Sequence, residues 1–256
     1  MMNSTGSDKP KSALRLWSVV AWVLIWHGLS VHIGQEVLLA SPASVAVRLS
    51  QLLRDSSYWK SIFFSLQRIA AGFLLSTISG IVLASLAARL RLIEELLAPI
   101  VLLFTATPVA SITILVLIWI SSRNLSVLIS FMMVLPIIYA NVLNGINSTD
   151  RKLLEMAEVF EVSAMRRIVY IYVPQVLPFF RAACLVGLGL CWKAGVAAEV
   201  IGIPKGSIGE KLYMAKIYLA TPDLFAWTLT IIAVSVTFEQ LFMLLMRLLE
   251  GKIERL

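Results

Sequence analysis

The residue types that carry out most protein chemistry are scarce in this chain. His27 and His32 are its only histidines, and Cys184 and Cys191 stand seven residues apart with no metal-ligand spacing to either histidine. We therefore expect no catalytic triad and no zinc site, and we interpret the cysteines as free thiols that pack between helices. The pattern G-x-x-x-x-G-K-[ST], which holds the phosphates of ATP, does not occur either. Any ATP hydrolysis must therefore take place in another polypeptide.

Two charged residues that could act on a solute lie in one apolar segment, GLGLCWKAGVAAEVIG. Lys193 stands well inside this segment and Glu199 near one end. A charge inside a membrane span costs about 2.5–3.5 kcal/mol on insertion scales, so it normally faces a cavity or a partner. Residues six positions apart lie on opposite faces of a helix, so these two do not pair with each other. Two interpretations of Lys193 stay open: it pairs with Glu239 of the next apolar segment, or it lines a solute pathway.

The longest polar segment between the apolar runs is DRKLLEMAEVFEVSAMRRIVYIYVPQVLP, residues 150–178. Asp150 is suited to cap a helix, and apolar residues follow it at helical spacing. The pattern predicts a short amphipathic helix over residues 151–160.

A second short helix is predicted directly after the first. Ser163 can cap this helix, which carries Arg166 and Arg167. It should stop or kink near Pro174, because the residue before a proline is disfavoured in the α region. The segment is thus predicted to form two short helices that meet at an elbow between membrane spans.

The composition indicates an integral membrane protein. Of the 256 residues, 59% are hydrophobic and 14% are charged, with a mean hydropathy of +0.87, whereas about a quarter of the residues in soluble domains are charged. The net charge of +7 and the pI near 9.6 come from basic residues scattered between apolar runs, with no nucleic-acid-binding motif. We therefore expect membrane lipid, and no nucleic acid, as a partner.

Six segments have the length of about 20 apolar residues that a bilayer requires. The predicted spans are 14–33, 61–88, 96–120, 125–146, 176–201 and 224–249. The first lacks a signal-peptide cleavage site, so we expect it to be retained. The predicted fold is an all-α membrane protein with about six transmembrane helices in a single domain, 13–250, flanked by a polar N-terminal tail, 1–12, and a short C-terminal tail, 251–256.

The distribution of lysine and arginine predicts the orientation. With the N-terminus inside, 12 basic residues fall in cytoplasmic segments: Lys9, Lys11, Arg15, Arg89, Arg91, Arg151, Lys152, Arg166, Arg167, Arg247, Lys252 and Arg255. Seven fall outside: Arg48, Arg54, Lys60, Arg123, Lys205, Lys211 and Lys216. This bias predicts cytoplasmic termini and a cytoplasmic loop 150–178.

Two amphipathic helices are predicted at the external surface. One lies within residues 41–60, which begin with Ser-Pro and continue with apolar residues at helical spacing. The other lies within 203–223, where Leu212, Ile217 and Leu219 oppose lysines. The second could receive a delivery protein or simply lie along the interface.

Small residues and prolines mark positions inside the spans. The second predicted span carries a small residue at every fourth position, namely Gly72, Ser76, Gly80, Ala84 and Ala88, which favours close packing of helices in lipid. Prolines in the third and fourth spans, Pro108 and Pro136, are expected to kink them. Each kink could serve packing alone or border a pathway.

The loop 150–178 resembles the EAA loop of the permeases of ABC importers. The family pattern is E-A-A, three residues, G, nine residues, then I-x-L-P. In this chain Glu155, Met156 and Ala157 stand at E-A-A, Glu161 stands at G, and residues 171–174 stand at I-x-L-P, with both gaps intact. Four of the seven defined positions are identical.

The resemblance implies that this loop forms a coupling helix that docks into a cytoplasmic ATPase subunit. The residues it implicates are Glu155, Met156, Ala157, Phe160, Glu161, Arg166, Arg167 and Pro174. Glu161 departs from the family glycine, which suits an elbow with positive φ. Another residue adopts that φ at a cost of about 1 kcal/mol. Either the elbow is built differently here, or Glu161 makes a compensating contact.

A second resemblance extends over most of residues 41–249. The Ser-Pro start of 41–60, the SLQR sequence that ends at Arg68, and AAEVIG at 197–202 are similar to the nitrate/sulfonate/taurine branch of these permeases. The branch implies a small solute such as nitrate, a sulfonate, taurine, bicarbonate or a pyrimidine precursor of thiamine. The candidate pathway residues are Lys193, Glu199, Arg68 and Pro108.

Both resemblances imply the permease of a type I ABC importer in a bacterial or archaeal cytoplasmic membrane. Such a permease works as a pair, usually of identical copies, with an ATPase dimer that binds the ATP and with an external substrate-binding protein, and it holds no cofactor itself. The alternatives are a permease of another ABC importer branch or a secondary transporter, which would show an internal repeat that we do not find. An intramembrane enzyme is disfavoured by the lack of paired acids or a nucleophile motif.

Overall fold

The computed structural model describes residues 16–253, which form helices and no strand. The helices are α1 (Leu16–Ile33), α2 (Pro42–Leu52), α3 (Ser56–Arg89), α4 (Arg91–Ala106), α5 (Val109–Val116), α6 (Ser122–Asn147), α7 (Arg151–Val159), α8 (Ala164–Arg167), α9 (Val173–Gly202), α10 (Ile208–Ile217) and α11 (Thr221–Ile253). The predicted polar tail 1–12 and the last three residues lie outside the described part. Helix α11 extends into the predicted C-terminal tail.

The long apolar helices confirm an all-α membrane protein. Four segments are long and apolar enough to cross a membrane: Ser56–Arg89, Ser122–Asn147, Ala164–Gly202 and Thr221–Leu248. A bent pair of helices, α4 with α5, raises this number to five if it counts as one span. Trp17–Ile33 is apolar but shorter. Within the described residues, the structure therefore gives four or five full spans, and the predicted number of six is not confirmed.

The third predicted span, 96–120, is broken in the structure. Helices α4 and α5 meet at an angle of 107°. The break falls at Thr107 and Pro108, both of which have extended backbone conformations. Proline disfavours the α region at the residue before it, so the chain leaves the helix at Thr107. Sequence analysis predicted a kink at Pro108, and the structure shows a much sharper turn.

The small residues of α3 pack against α6, as predicted. A Cβ on Gly72 would come within 2.8 Å of the Ser130 Cβ, and one on Gly80 within 2.7 Å of Ile138. Between them, the Ser76 hydroxyl donates a hydrogen bond to the Phe131 carbonyl oxygen at 3.2 Å. These approaches leave no room for larger side chains, so α3 and α6 are in close backbone contact.

The bundle has two distinct ends. At one end, which we call the loop end, α6 is followed by α7, and the Asp150 amide donates to the Gln175 side chain near the start of α9 at 3.0 Å. At the other end, which we call the α10 end, Ser65 of α3 and Glu199 of α9 both contact α10. Helix α9 therefore runs from the loop end to the α10 end.

The two predicted surface helices are present as α2 and α10. Ser41 caps α2 by accepting from the Ser44 amide at 3.1 Å. The buried side of α10 differs from the prediction, because Ile208 and Ala215 are buried, whereas Ile217 and Leu219 are exposed. The helix contacts α9 and α3 through its first turn, whereas Ile217 and Leu219 near its far end point away from the bundle.

Candidate functional site

Helix α7 forms where the sequence predicted it, at the loop end. The Asp150 carboxylate accepts a hydrogen bond from the Lys152 amide at 2.9 Å and so caps the first turn. The helix ends at Val159, one residue before the predicted end. The predicted amphipathic helix and its cap are confirmed.

The elbow after α7 adopts the left-handed conformation that favours glycine. Glu161 has φ of +50°. The Val162 amide donates to the Ala157 carbonyl at 2.8 Å, and the Glu161 amide donates to the Glu158 carbonyl at 3.0 Å, which is the pair of bonds of a Schellman motif. The Arg167 guanidinium then donates to the Val162 carbonyl at 2.8 Å. Backbone bonds and Arg167, rather than a contact of the Glu161 side chain, therefore hold the elbow among the described residues.

The surface of α7 separates a buried position from an exposed apolar face. Ala157 is 1% exposed, whereas Met156 is 51%, Val159 is 79% and Phe160 is 74% exposed. The Ala157 side chain therefore lies on the buried side of α7, next to the elbow. Sequence analysis grouped it with the docking residues, but its buried side chain is not available to a partner.

The remaining loop residues that the resemblance implicated differ in their surroundings. Glu155 and Arg166 are exposed to solvent. Arg167 is half-buried and bonded to the elbow. The exposed apolar face defined by Met156, Val159 and Phe160 is thus bordered by charged side chains.

The second predicted helix does not stop at Pro174. A π-helical turn, Ile168–Tyr172, joins α8 to α9, and the Val173 amide donates to the Ile168 carbonyl five residues back. This wider turn shifts the hydrogen-bond register, so Pro174 falls at the first turn of α9, where a proline needs no donor. The segment Ala164–Gly202 is consequently one continuous span of 39 residues, and the predicted stop is wrong.

Lys193 lies inside this span, nearer its α10 end, with an exposed side chain. It is nine residues before the end of α9, or about 14 Å at 1.5 Å per residue. Among the described residues, ion pairs form between Arg48 and Asp223 and between Arg91 and Glu95, and none joins Lys193 to Glu239. The pairing interpretation is therefore not realised in this structure.

The face of α9 around Lys193 is open. Ala182 and Val186 precede it at helical spacing and are exposed. A Cβ on Gly189 would meet nothing within 4 Å. The opposite face, with Cys191 and Gly195, is buried against α3 and α6. Lys193 thus stands at the centre of a face that the rest of the described chain does not cover.

Glu199 has the opposite environment. Its side chain is 0% exposed. The Oε2 atom accepts hydrogen bonds from the Ser65 hydroxyl at 2.6 Å and from the Gly209 amide at 3.2 Å. The Ser65 oxygen in turn accepts from the Ile208 amide at 3.0 Å. Glu199 and Ser65 therefore bind the first two amides of α10 from two different helices.

Not every buried polar atom around Glu199 has a hydrogen-bond partner. The third amide of α10, that of Glu210, donates to the Ser207 hydroxyl at 3.0 Å, which completes the capping of this helix. The other oxygen of Glu199, Oε1, and the hydroxyl of Ser126 are buried without a hydrogen-bond partner in the structure. The carboxyl also interacts electrostatically with Arg68.

Arg68 and Pro108 take separate positions. The Arg68 guanidinium donates to the Arg123 carbonyl at 2.6 Å and lies 3.9 Å from the centre of the Phe64 ring. Pro108 is exposed at the break between α4 and α5. The structure thus brings Arg68 near Glu199 and places neither Lys193 nor Pro108 with them.

Sequence analysis missed the bonds that join Ser65, Glu199 and Gly209. Ser65 opens the SLQR sequence, Glu199 belongs to AAEVIG, and Gly209 follows Ser207 in GSIG. All three sequences were visible, but nothing in their spacing indicated that they meet. Within residues 16–253, no group of three or more histidine, cysteine, aspartate or glutamate side chains could hold a metal ion.

Comparison with known proteins identifies the family. A family model described as the inner membrane component of binding-protein-dependent transport systems matches residues 80–255, which is more than half of the chain. The chain is 27% identical to SsuC of Bacillus subtilis, which is named as an aliphatic sulfonates transport permease, over 85% of this chain and 76% of SsuC.

Two further relatives have similar coverage. The chain is 29% identical to the riboflavin transport system permease RibX of Chloroflexus aurantiacus, over 89% of this chain and 85% of RibX. It is 28% identical to the nitrate import permease NrtB of Synechococcus elongatus, over 76% of this chain and 73% of NrtB. This chain belongs to the inner membrane components of binding-protein-dependent transport systems, and it is an ABC transporter permease of the branch that includes aliphatic-sulfonate and nitrate permeases.

Proposed function

We propose that this chain forms the solute pathway of an ATP-driven importer and is coupled through α7 and the following elbow to a separate ATPase dimer. The observation that carries the proposal is the exposed apolar face of Met156, Val159 and Phe160, which stands on a rigidly capped helix outside the spans. Exposed apolar residues that are held in a fixed geometry are typical of protein interfaces.

The loop end is suited to transmit force. The elbow is held by two backbone bonds and by Arg167, and Asp150 is bonded to Gln175 of α9. A displacement of α7 therefore acts on the span Ala164–Gly202 and is not absorbed by a loose loop. In the mechanism we propose, closure of the ATPases upon ATP binding moves α7 and shifts the spans between inward-facing and outward-facing arrangements.

We further propose that a second copy of the permease covers the open face of α9. Lys193 inside a span requires a polar surrounding, because a charge exposed to lipid costs about 2.5–3.5 kcal/mol. A water-filled pathway between two copies supplies that surrounding. Lys193 would then contribute a positive charge to the pathway, whereas Arg68 and Glu199 lie at the α10 end. An external binding protein delivers the solute at that end, and the loop end and both termini face the cytoplasm.

The nature of the solute follows from the relatives only in outline. Their names specify aliphatic sulfonates, riboflavin and nitrate for those proteins. For this chain we propose a small organic or inorganic solute that is delivered by a binding protein.

A pair of matched variants tests the coupling role. F160D places a charge on the exposed face of the elbow, and Y218D places one on α10 at the opposite end, where the side chain is 77% exposed compared with 74% for Phe160. Burying an unpaired charge in an interface is costly, so F160D should lower the affinity for the ATPase at least about tenfold. Y218D should leave this affinity unchanged. Equal retention of the ATPase by both variants, measured by co-purification and ATPase titration, would refute the docking role.

A further inference from the structure

The first turn of α10 is attached to the bundle by side chains from two other helices. Of its three leading amides, that of Ile208 binds Ser65 of α3, that of Gly209 binds Glu199 of α9, and that of Glu210 binds its own cap, Ser207. The Ser65 hydroxyl also donates to Glu199. Removal of Glu199 or Ser65 would therefore break hydrogen bonds that join the first turn of α10 to the spans without cutting any helix.

The contact at Gly209 is too close for any side chain. A Cβ at this position would overlap the Cβ and the backbone of Glu199. Every residue other than glycine is thus excluded at position 209, and the backbone of α10 is in direct contact with the end of α9. The tip of α10 and the end of α9 must consequently move as one body while the hydrogen bonds persist.

A buried carboxyl group inside a membrane protein is costly and is rarely present for packing alone. Through the single oxygen Oε2, Glu199 accepts from the Gly209 amide of α10 and from the Ser65 hydroxyl of α3. The span that carries it also begins at the elbow, where Arg167 holds Val162. One continuous helical segment therefore touches α10 at one end and the proposed ATPase-binding elbow at the other.

We propose that Glu199, together with Ser65, is a positioning residue that couples α10 to the nucleotide-dependent movement of the spans. We call the hydrogen bonds that join Ser65 and Glu199 to the amides of Ile208 and Gly209 the latch. While these bonds persist, a shift of Ala164–Gly202 displaces α10, and a force on α10 reaches α7. The inference rests on the proposed function, because the movement originates in the ATPase. Its direct consequence is that nucleotide bound by the ATPase alters α10 at the far end of the bundle, and that this effect depends on Glu199.

Hydrogen exchange on the reconstituted complex with its ATPase subunits tests this coupling. The probe is the non-hydrolysable analogue adenylyl imidodiphosphate with Mg²⁺, and exchange is followed at residues 207–212 and, separately, at residues 151–162. In the wild type, the analogue should change exchange in both segments. In E199A, exchange at Gly209 should rise at least about tenfold, since its hydrogen bond to the Glu199 carboxyl group is lost, and the response of 207–212 to nucleotide should disappear.

Three variants separate positioning from a loss of folding. E199Q keeps an oxygen that accepts from Gly209 and Ser65, so it should restore the nucleotide response. S65A removes two bonds of the latch and should behave like E199A. S85A removes a hydroxyl of α3 that donates to the backbone of its own helix, far from Glu199, and should leave the response intact. If E199A does not assemble, S65A and E199Q carry the comparison.

The outcomes distinguish this inference from the proposed function. A nucleotide response at 207–212 that persists in both E199A and S65A overturns the latch. A wild type that responds at 151–162 but not at 207–212 also overturns it while leaving the coupling loop intact. The absence of any response at 151–162 in the wild type contradicts the proposed function itself.

Discussion

Replacement of Glu161 by glycine should stabilise the elbow on which the proposed ATPase contact depends. Glu161 has φ of +50°, a conformation that costs residues with side chains about 1–2 kcal/mol. Glycine avoids this cost but loses about 0.5–1 kcal/mol more backbone entropy on folding. At the midpoints of these two ranges the net gain is about 0.75 kcal/mol, which places the shift in the local opening equilibrium within roughly twofold to fivefold.

Hydrogen exchange of the two amides that close the elbow measures this shift. The amides of Glu161 and Val162 donate the bonds of the Schellman motif, so E161G should slow their exchange about twofold to fivefold. E161V should accelerate it, because a β-branched side chain fits the left-handed region poorly.

A second glutamate-to-glycine replacement, E158G, is a control that should change the exchange rate in the opposite direction. Glu158 is exposed inside α7, where glycine costs about 1 kcal/mol of helix stability. E158G should therefore accelerate exchange at Val162. If E161G also accelerates it, the strain that we assign to Glu161 is absent.

The remaining predictions concern the spans and one helix start. G72A should lower the melting temperature by an amount that corresponds to about 1–3 kcal/mol, because its Cβ would meet the backbone of α6. The control G28A on α1, where a Cβ meets nothing within 4 Å, should leave the melting temperature unchanged. Equal melting temperatures of the two variants would contradict the packing account. Since no ion pair joins Lys193 to Glu239, K193M and E239Q should be additive in thermal unfolding, and a coupling energy above about 1 kcal/mol would show a hidden pair. The pKa of Asp55, which caps α3, is lowered from 3.8 by hydrogen bonds from the side chain and the amide of the second residue of that helix. A lowered pKa means stability that is present above the unfolded value and lost as the pH falls through the folded value, so D55N should make unfolding less dependent on pH below about 4.

Local signals predicted the first helix and the elbow of the loop 150–178 accurately. Asp150 and the apolar spacing after it gave α7 and its cap to within one residue. The position of the family glycine correctly marked the elbow. The backbone turn there requires a positive φ, and Glu161 adopts this φ although it is not glycine. What the sequence could not indicate was the burial of Ala157, which depends on the backbone turn that closes over it.

Two prolines show how packing modifies what the sequence predicts. Pro174 was expected to stop or kink a helix, and the helix does not stop there, because a π-helical turn before it shifts the hydrogen-bond register so that no donor is missing. Pro108 was expected to kink a span, and the chain turns there by 107°, more sharply than a kink. A proline fixes only its own φ and the freedom of its predecessor, and the surrounding packing decides whether the helix continues.

The site around Glu199 lay beyond sequence reasoning for a different reason. Its partners Ser65 and Gly209 are separated from it by 134 and 10 residues along the chain. No helical periodicity in the sequence relates two residues as far apart as Ser65 and Glu199. The sequence showed that a charge stood in a span and required a partner. Only the packing of α3 against α9 identified that partner.

The native mass of the complex tests the central proposal most directly. The permease would be produced together with its partner ATPase, extracted in detergent and measured by native mass spectrometry. The account predicts two copies of this 28.3 kDa chain bound to two ATPase subunits, with the ATPases lost from the F160D complex and retained by Y218D. A single permease copy, or a permease that never retains an ATPase, would contradict it.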